Sequence, residues 1–161
     1  KDNGCLISFD PNLRLSLWKT PEEARKRILY GMKQCDIMKI SEEEVAFVSE
    51  QESLEKGVSF IRDNSDIKIL FVTLGNKGSI AYYKDEKIYC GGIHQEHVVD
   101  TTGAGDTFCG AVLSRILELG TDALTEKDIR EMLLFANAAA LPEKVRYVLC
   151  RSWRRSGLLL P

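Results

Sequence analysis

The sequence predicts an α/β fold with a largely parallel sheet. Short apolar runs alternate along the chain with amphipathic segments that open on helix-capping residues. The clearest run, residues 67–74, is apolar almost without interruption, which is typical of a strand buried on both faces. Ligands of such sheets bind at the carboxyl ends of the strands. We therefore expect functional residues in the loops that follow Phe9, Ile40, Leu74 and Val99.

The strands are predicted from apolar runs bounded by turn residues. A run at 5–9 stops at Asp10-Pro11-Asn12, which is strong turn chemistry. Two further runs around Asp85-Glu86 predict a hairpin. The predicted strands are 5–9, 36–40, 67–74, 79–83 and 87–90.

The helices are predicted from their start signals. Thr20 precedes Pro21 as an N-cap, and capping boxes occur at 41–44 and 125–128. Phe108, Val112, Ile116 and Leu119 form one apolar stripe at helical spacing. The predicted helices cover 21–34, the residues after 41, 52–62, the residues after 105 to about 119, and 125–140.

Charge and composition exclude several classes of protein. A net charge of −2 argues against a nucleic-acid partner. No apolar run approaches the roughly 18 residues of a membrane span, and no signal peptide opens the chain, so we expect a cytoplasmic protein. The five cysteines are widely spaced without a C-x-x-C pair, which disfavours zinc binding, and a metal site from Cys90, His94 and His97 is not expected.

The segment 100–106, D-T-T-G-A-G-D, carries the chemistry. Small residues at 103–105 before a helix allow the backbone to approach an anion, which the helix N-terminus favours. A carboxylate beside a phosphate site makes sense if Asp106 takes a proton from an attacking hydroxyl. The alternative interpretation is that Asp106 only stabilises the helix N-terminus. The segment is neither a P-loop nor a dinucleotide fingerprint.

The run D-T-T-G-A-G-D-T-F-C-G-A at 100–111 resembles the C-terminal signature of the PfkB (ribokinase) family of carbohydrate kinases. The resemblance covers residues 5 to about 140 and implies a three-layer α/β/α ribokinase-like fold. It also implies that the N-terminal half, with its lid, is absent. The predicted domains are a C-terminal part of the kinase domain at 1–140 and a divergent tail at 141–161. Further matching segments lie at 7–18, 36–44, 72–79 and 135–140.

Roles in phosphoryl transfer follow from this resemblance. It implies that Asp106 is the catalytic base and that the backbone of Gly103, Ala104 and Gly105 forms the anion hole for the transferred phosphate. A segment at 7–18 resembling fructokinases and 2-keto-3-deoxygluconate kinases implies a substrate and phosphate cleft lined by Asp10, Asn12 and Arg14. The alternative for these three residues is turn chemistry plus a surface arginine.

Metal and nucleotide roles are implied in the same way. Glu42 falls on a glutamate that helps to organise Mg²⁺ through water in the family, and its alternative is helix-dipole stabilisation. Asp100 and Thr102 match positions that bind a monovalent cation, often K⁺. Residues implied at the ATP site are Thr73, Gly75, Gly78 and Asn137, for which the alternative around 73–78 is a tight hairpin turn.

The predicted function is ATP-dependent phosphorylation of a small sugar, with fructose favoured. A 2-keto-3-deoxygluconate kinase and an inactive nucleotide-binding fragment are the alternatives. The expected cofactors are ATP, Mg²⁺ and, from the resemblance, K⁺. The expected partner is a small sugar, and a homodimer is compatible with the full-length protein. Without a lid to exclude water, the 161 residues alone are expected to be inactive.

Overall fold

The computed structural model describes residues 4–92 and 103–141. Within them, five strands form one sheet in the order β1-β2-β3-β4-β5. The predicted α/β architecture is confirmed, because helices connect the first three strands. The strands are β1 (Ser8–Phe9), β2 (Ile37–Ser41), β3 (Ile69–Thr73), β4 (Gly78–Tyr83) and β5 (Glu86–Gly91).

The helices begin at the predicted capping residues. Thr20 accepts a hydrogen bond from the amide of Glu23, and both predicted capping boxes form, at Ser41 with Glu44 and at Thr125 with Asp128. The helices are α1 (Pro21–Gln34), α2 (Glu42–Ser49), α3 (Leu54–Asp63), α4 (Ala104–Leu119) and α5 (Glu126–Ala139).

The sheet is mixed rather than largely parallel. β1 pairs with β2, and β2 with β3, in parallel, whereas β4 runs antiparallel to β3. Only Leu74 and the short 3-10 turn Gly75–Lys77 separate β3 from β4, and so short a connection cannot make the crossover that parallel pairing needs. Because β1, β2 and β3 are parallel, their carboxyl ends meet at one edge of the sheet.

The chain divides into two compact units. The first comprises Lys1–Gly75 and Ser79–Tyr89, and the second comprises Asn76–Gly78 and Cys90–Pro161. The first unit therefore holds most of the sheet together with α1, α2 and α3. The second unit holds α4 and α5.

The core of the first unit lies between the sheet and its three helices. Alternate residues of β2 and β3, such as Met38 and Leu70, are buried against residues of α1, α2 and α3. Their neighbours Ile37 and Phe71 point to the opposite face and are buried as well. Burial of both faces explains why these strands read as nearly continuous apolar runs.

Helices α4 and α5 pack against each other in the second unit. Phe108, Val112 and Ile116 are buried as the apolar stripe predicted, but Leu119 is 40% exposed. Leu119 is the last residue of α4, where the helix is ending at Gly120. Ala111 is also buried and widens the covered face in the middle of the helix.

Strand β1 is shorter and less covered than predicted. Only Ser8 and Phe9 of the predicted strand at 5–9 pair with a neighbour, and Leu6 is exposed. Among the described strands β1 has β2 as its single partner, so one of its edges has no sheet neighbour there. The described helices include none long and apolar enough to cross a bilayer.

The buried face of β3 should dominate the stability of the first unit. We expect Leu70→Ala to lower the free energy of unfolding by about 2–5 kcal/mol, because Leu70 is 1% exposed and its removal leaves a cavity. The matched control is Leu17→Ala, at a leucine that is 77% exposed, where the change should stay within about 0.5 kcal/mol. Urea unfolding measures the change in the free energy of unfolding for each variant. Equal changes in the two variants would contradict this assignment of the core.

Candidate functional site

The loop after β1 is attached to β2 by a buried ion pair. The ammonium of Lys39 lies 3.2 Å from Oδ1 and 3.1 Å from Oδ2 of Asp10. Only 8% of the Lys39 side chain and 17% of the Asp10 side chain are exposed. Asp10 Oδ1 also accepts a hydrogen bond from the amide of Asn12 at 3.2 Å, which closes an Asx turn.

Glu44 forms a second attachment for the same loop. Its Oε1 accepts a hydrogen bond from the amide of Leu13 at 2.6 Å, and its Oε2 accepts one from the amide of Ser41 at 2.8 Å. Glu44 is only 8% exposed, although it is a first-turn residue of α2. One carboxylate therefore completes the capping box and holds the loop after β1 at the same time.

The two attachments lie on either side of Asn12, whose backbone adopts a left-handed φ of 41°. Left-handed geometry is uncommon outside glycine but is tolerated by asparagine. Arg14 follows the constrained turn and is exposed. Asp10, Asn12 and Arg14 thus lie in one loop, and Glu42 begins α2 with intermediate exposure.

The charge of Asp10 is costly in this position. Burial raises the pKa of the Asp10 carboxyl above its ordinary value, although the neighbouring Lys39 ammonium opposes the shift. The nearby Glu44 carboxylate also acts to raise this pKa. The loop therefore holds its conformation at an electrostatic cost to the folded state.

The turn after β3 depends on a close backbone contact in the second unit. Gly78 has a φ of 109°, and a Cβ placed on it would overlap the carbonyl oxygen of Cys90 and the amide nitrogen of Gly92. The amide of Gly92 in turn donates to the carbonyl oxygen of Lys77 at 3.0 Å. Two backbone segments touch here without side chains between them, which explains why glycine occupies both positions.

Asn137 on α5 holds the same backbone segment. Its side-chain amide lies 3.3 Å from the carbonyl oxygen of Cys90 and 3.4 Å from that of Gly91. The structure therefore links two of the residues predicted at the ATP site, Gly78 and Asn137, through the segment 90–92. Thr73 ends β3 and Gly75 begins the following 3-10 turn in the chain.

The glycine loop leads into α4 two residues earlier than expected. Gly103 is the N-cap, with a φ of 79°, and the helix begins at Ala104, so Gly105 is already helical. Gly103 has no side chain that could cap the first-turn amides of the helix.

Asp106 lies in the first turn of α4, as predicted, and it is exposed. The helix start is further secured by Thr107, whose amide and hydroxyl both donate to the carbonyl oxygen of Gly103 at 2.9 Å. Asp100 and Thr102, predicted to bind a monovalent cation, lie outside the described residues, as do His94 and His97. Within 4–92 and 103–141, no three His, Cys, Asp or Glu residues gather into a metal-binding group.

The sequence did not predict that Lys39 and Glu44 would hold the loop after β1. Lys39 could have been singled out because it lies inside an apolar strand, where a buried lysine requires a partner. The signal for Glu44 was weaker, since a capping-box glutamate is already explained by the helix start that it stabilises. The segment 90–92 carried no signal beyond its paired glycines.

A sequence profile described as "pfkB family carbohydrate kinase" matches residues 1–141. Among similar curated proteins, fructokinase-1 of Zea mays is 43% identical and fructokinase-1 of Oryza sativa subsp. japonica is 42% identical, each over 140 residues. These matches cover 86% of the chain but 42% of each relative. The chain thus spans less than half the length of these curated relatives.

Solved structures of similar fold include fructokinase from Vibrio cholerae O395 bound to fructose, ADP and calcium ion. It is 32% identical with a TM-score of 0.74, over 89% of this chain and 47% of that protein. Aminoimidazole riboside kinase from Salmonella enterica, bound to aminoimidazole riboside and an ATP analogue, is 25% identical with a TM-score of 0.75, over 87% and 46% of the respective chains. The ribokinase-like fold class is therefore confirmed.

The contact between Gly78 and the segment 90–92 should tolerate no side chain. We expect Gly78→Ala to destabilise the protein by about 3 kcal/mol, because the new Cβ meets backbone atoms that cannot rotate away. Gly75→Ala is the matched control. Gly75 also has a positive φ, of 60°, but a Cβ added there would meet nothing within 4 Å, so only the conformational cost of about 1–2 kcal/mol is expected. Urea unfolding compares them, and a smaller loss for Gly78→Ala would refute the close contact.

Proposed function

The chain belongs to the pfkB family of carbohydrate kinases, and we propose that it forms the phosphoryl-transfer portion of a fructokinase. The observation that carries the proposal is the position of Asp106. This carboxylate occupies the first turn of α4, close behind the left-handed Gly103. The fructokinases among its relatives support fructose as the sugar.

In the proposed reaction, Asp106 accepts the proton of the attacking sugar hydroxyl. The oxygen then forms a bond to the γ-phosphorus of ATP, and the bond from phosphorus to the ADP oxygen breaks. A positioned general base contributes about 10²–10⁴-fold to such a step. The exposure of Asp106 at the helix terminus is compatible with access of a substrate to its carboxylate.

The backbone at Gly103, Ala104 and Gly105 is proposed to bind the transferred phosphate. Uncapped amides at a helix N-terminus, together with the helix dipole, favour an anion. Two glycines and an alanine add little bulk, so the phosphate oxygens can approach the backbone closely. Charge that develops on these oxygens in the transition state is thereby stabilised.

The ATP site is proposed to include Thr73, Gly75, Gly78 and Asn137. In this arrangement Asn137 acts by holding the carbonyl groups of Cys90 and Gly91, which keeps that segment against Gly78. Relatives of known structure support nucleotide binding, since they were solved with ADP or an ATP analogue bound.

Mg²⁺ is proposed to bind near the start of α2. Glu42, with intermediate exposure, is proposed to hold the ion through water, and the buried Glu44 lies two residues away with both oxygens already hydrogen-bonded. Mg²⁺ commonly uses one or two carboxylates, several waters and substrate phosphates, and it neutralises phosphate charge when bound. Asp100 and Thr102 remain the proposed ligands for K⁺, and a cytoplasmic location remains part of the proposal.

The test of the proposed base is Asp106→Asn in a hybrid kinase, defined as the Zea mays relative with its matched 140-residue segment replaced by that of this chain. We expect phosphoryl transfer to fructose to fall at least ~10²-fold, since an amide cannot accept the hydroxyl proton. ATP affinity, measured by isothermal titration, should change little.

Glu118→Gln provides the control for that experiment. Glu118 is exposed and lies near the other end of the same helix, where it pairs with Arg115, so its loss should leave turnover unchanged. Turnover of Asp106→Asn within threefold of the unmutated hybrid would remove Asp106 from the role of base.

The 161 residues alone should not phosphorylate fructose at a useful rate. Catalysis requires the sugar hydroxyl in line with the γ-phosphate, and misplacement by about 1 Å can cost 10²-fold. The chain spans 42% of the Zea mays fructokinase, and much of the sugar-binding surface is proposed to lie in the remainder. A coupled assay of ADP release with and without fructose tests this, and fructose-dependent turnover on the order of 10 s⁻¹ would contradict it.

A further inference from the structure

A lysine is buried in the middle of β2. Lys39 is 7% exposed and lies between Met38 and Ile40, both of which are fully buried. Lysine is almost never buried without a partner, because its ammonium loses hydration. Side chains alternate along a strand, so Lys39 points to the sheet face opposite that of Met38 and Ile40.

The partner of Lys39 is the first residue of the loop after β1. Its ammonium contacts both oxygens of Asp10, at 3.2 and 3.1 Å. Asp10 Oδ1 also accepts the hydrogen bond of the Asn12 amide. Both carboxylate oxygens of Asp10 are therefore engaged within the protein, in contacts that shape the loop.

An independent anchor acts on the other side of the turn. Glu44 accepts the amide hydrogen of Leu13 at 2.6 Å and is itself fixed by the amide of Ser41. Asn12, with its left-handed φ of 41°, is thus held between two anchors that come from β2 and the start of α2. Arg14, which is exposed, follows this constrained turn two residues later.

A buried ion pair is a poor source of stability. Desolvation of two charges often exceeds their mutual attraction, and apolar replacements of similar size are frequently as stable. What such a pair does supply is a defined geometry, because both charges must stay in contact. This points to orientation of the loop as the contribution of Lys39.

We infer that Lys39 is a positioning residue for the proposed kinase reaction: acting through Asp10, it sets the loop of residues 10–14 so that Arg14 meets the substrate or phosphate. Asp10 itself does not contact the ligand. The ligand part of this inference rests on the proposed function, whereas the attachment of the loop by Lys39 is a property of the chain alone.

The first experiment uses the 161-residue chain and needs no activity. Trypsin cleavage after Arg14 reports how often the loop leaves its attachments. We expect about a 10-fold faster cleavage in Asp10→Asn, in Lys39→Met and in the double variant, with the urea midpoint of the double variant near that of the unmutated chain. Unchanged cleavage in the double variant would overturn the inference.

The double variant keeps this test decisive. Lys39→Met alone leaves a buried carboxylate without its cation and can unfold the chain, whereas the double variant removes both charges. Lys39→Arg retains the charge and should restore slow cleavage in part. Arg14→Lys keeps a trypsin site at this position. It therefore tests whether the cleavage rate depends on the mobility of the loop and not on the identity of the cleaved side chain.

The second experiment is a double-mutant cycle in the hybrid kinase. We expect Asp10→Asn, Lys39→Met and the double variant to share one ~10-fold rise in KM for fructose or ATP, with kcat within about threefold. A ~100-fold rise in the double variant would show that Asp10 contacts the ligand independently, and would overturn the inference. If the unmutated hybrid lacks fructose-dependent turnover, the proposed function fails and the ligand role of Lys39 fails with it, while the cleavage experiment still decides the loop attachment.

Discussion

The parallel pairing of β1, β2 and β3 is the constraint on which the first unit depends. It places the carboxyl ends of three strands at one edge, where the chain must leave the sheet through loops. Both faces of β2 and β3 are buried, as is typical of strands inside a parallel sheet. The position of the loop after β1 beside the start of α2 follows from this register.

Buried charged side chains at that edge fix the conformation of the loop after β1. Lys39 on β2 and Glu44 on α2 each reach the loop after β1, one through the side chain of Asp10 and the other through the amide of Leu13. Neither contact extends the apolar core. Their common effect is to restrict a short polar segment whose residues would otherwise sample many conformations.

The second unit achieves close approach by a different means, the absence of side chains. Gly78 and Gly92 let two backbone segments touch, and Asn137 secures one of them by hydrogen bonds to its carbonyl groups. Gly103, the N-cap residue of α4, likewise has no side chain that could cap the helix. In both places the relevant property of glycine is the absence of a side chain.

The sequence by itself determined the α/β class, the helix starts at Thr20, Ser41 and Thr125, the hairpin, and the first-turn position of Asp106, because each depends on residues close together in the chain. Its family signature also identified the candidate residues of the site, whose roles stay predictions. Tertiary structure alone decided the mixed character of the sheet, the short β1, and the partners of Lys39, Glu44 and Gly78. The partners of Lys39 and Glu44 are 29 and 31 residues away in sequence and meet them only when the strands pair, so no local pattern could reveal them.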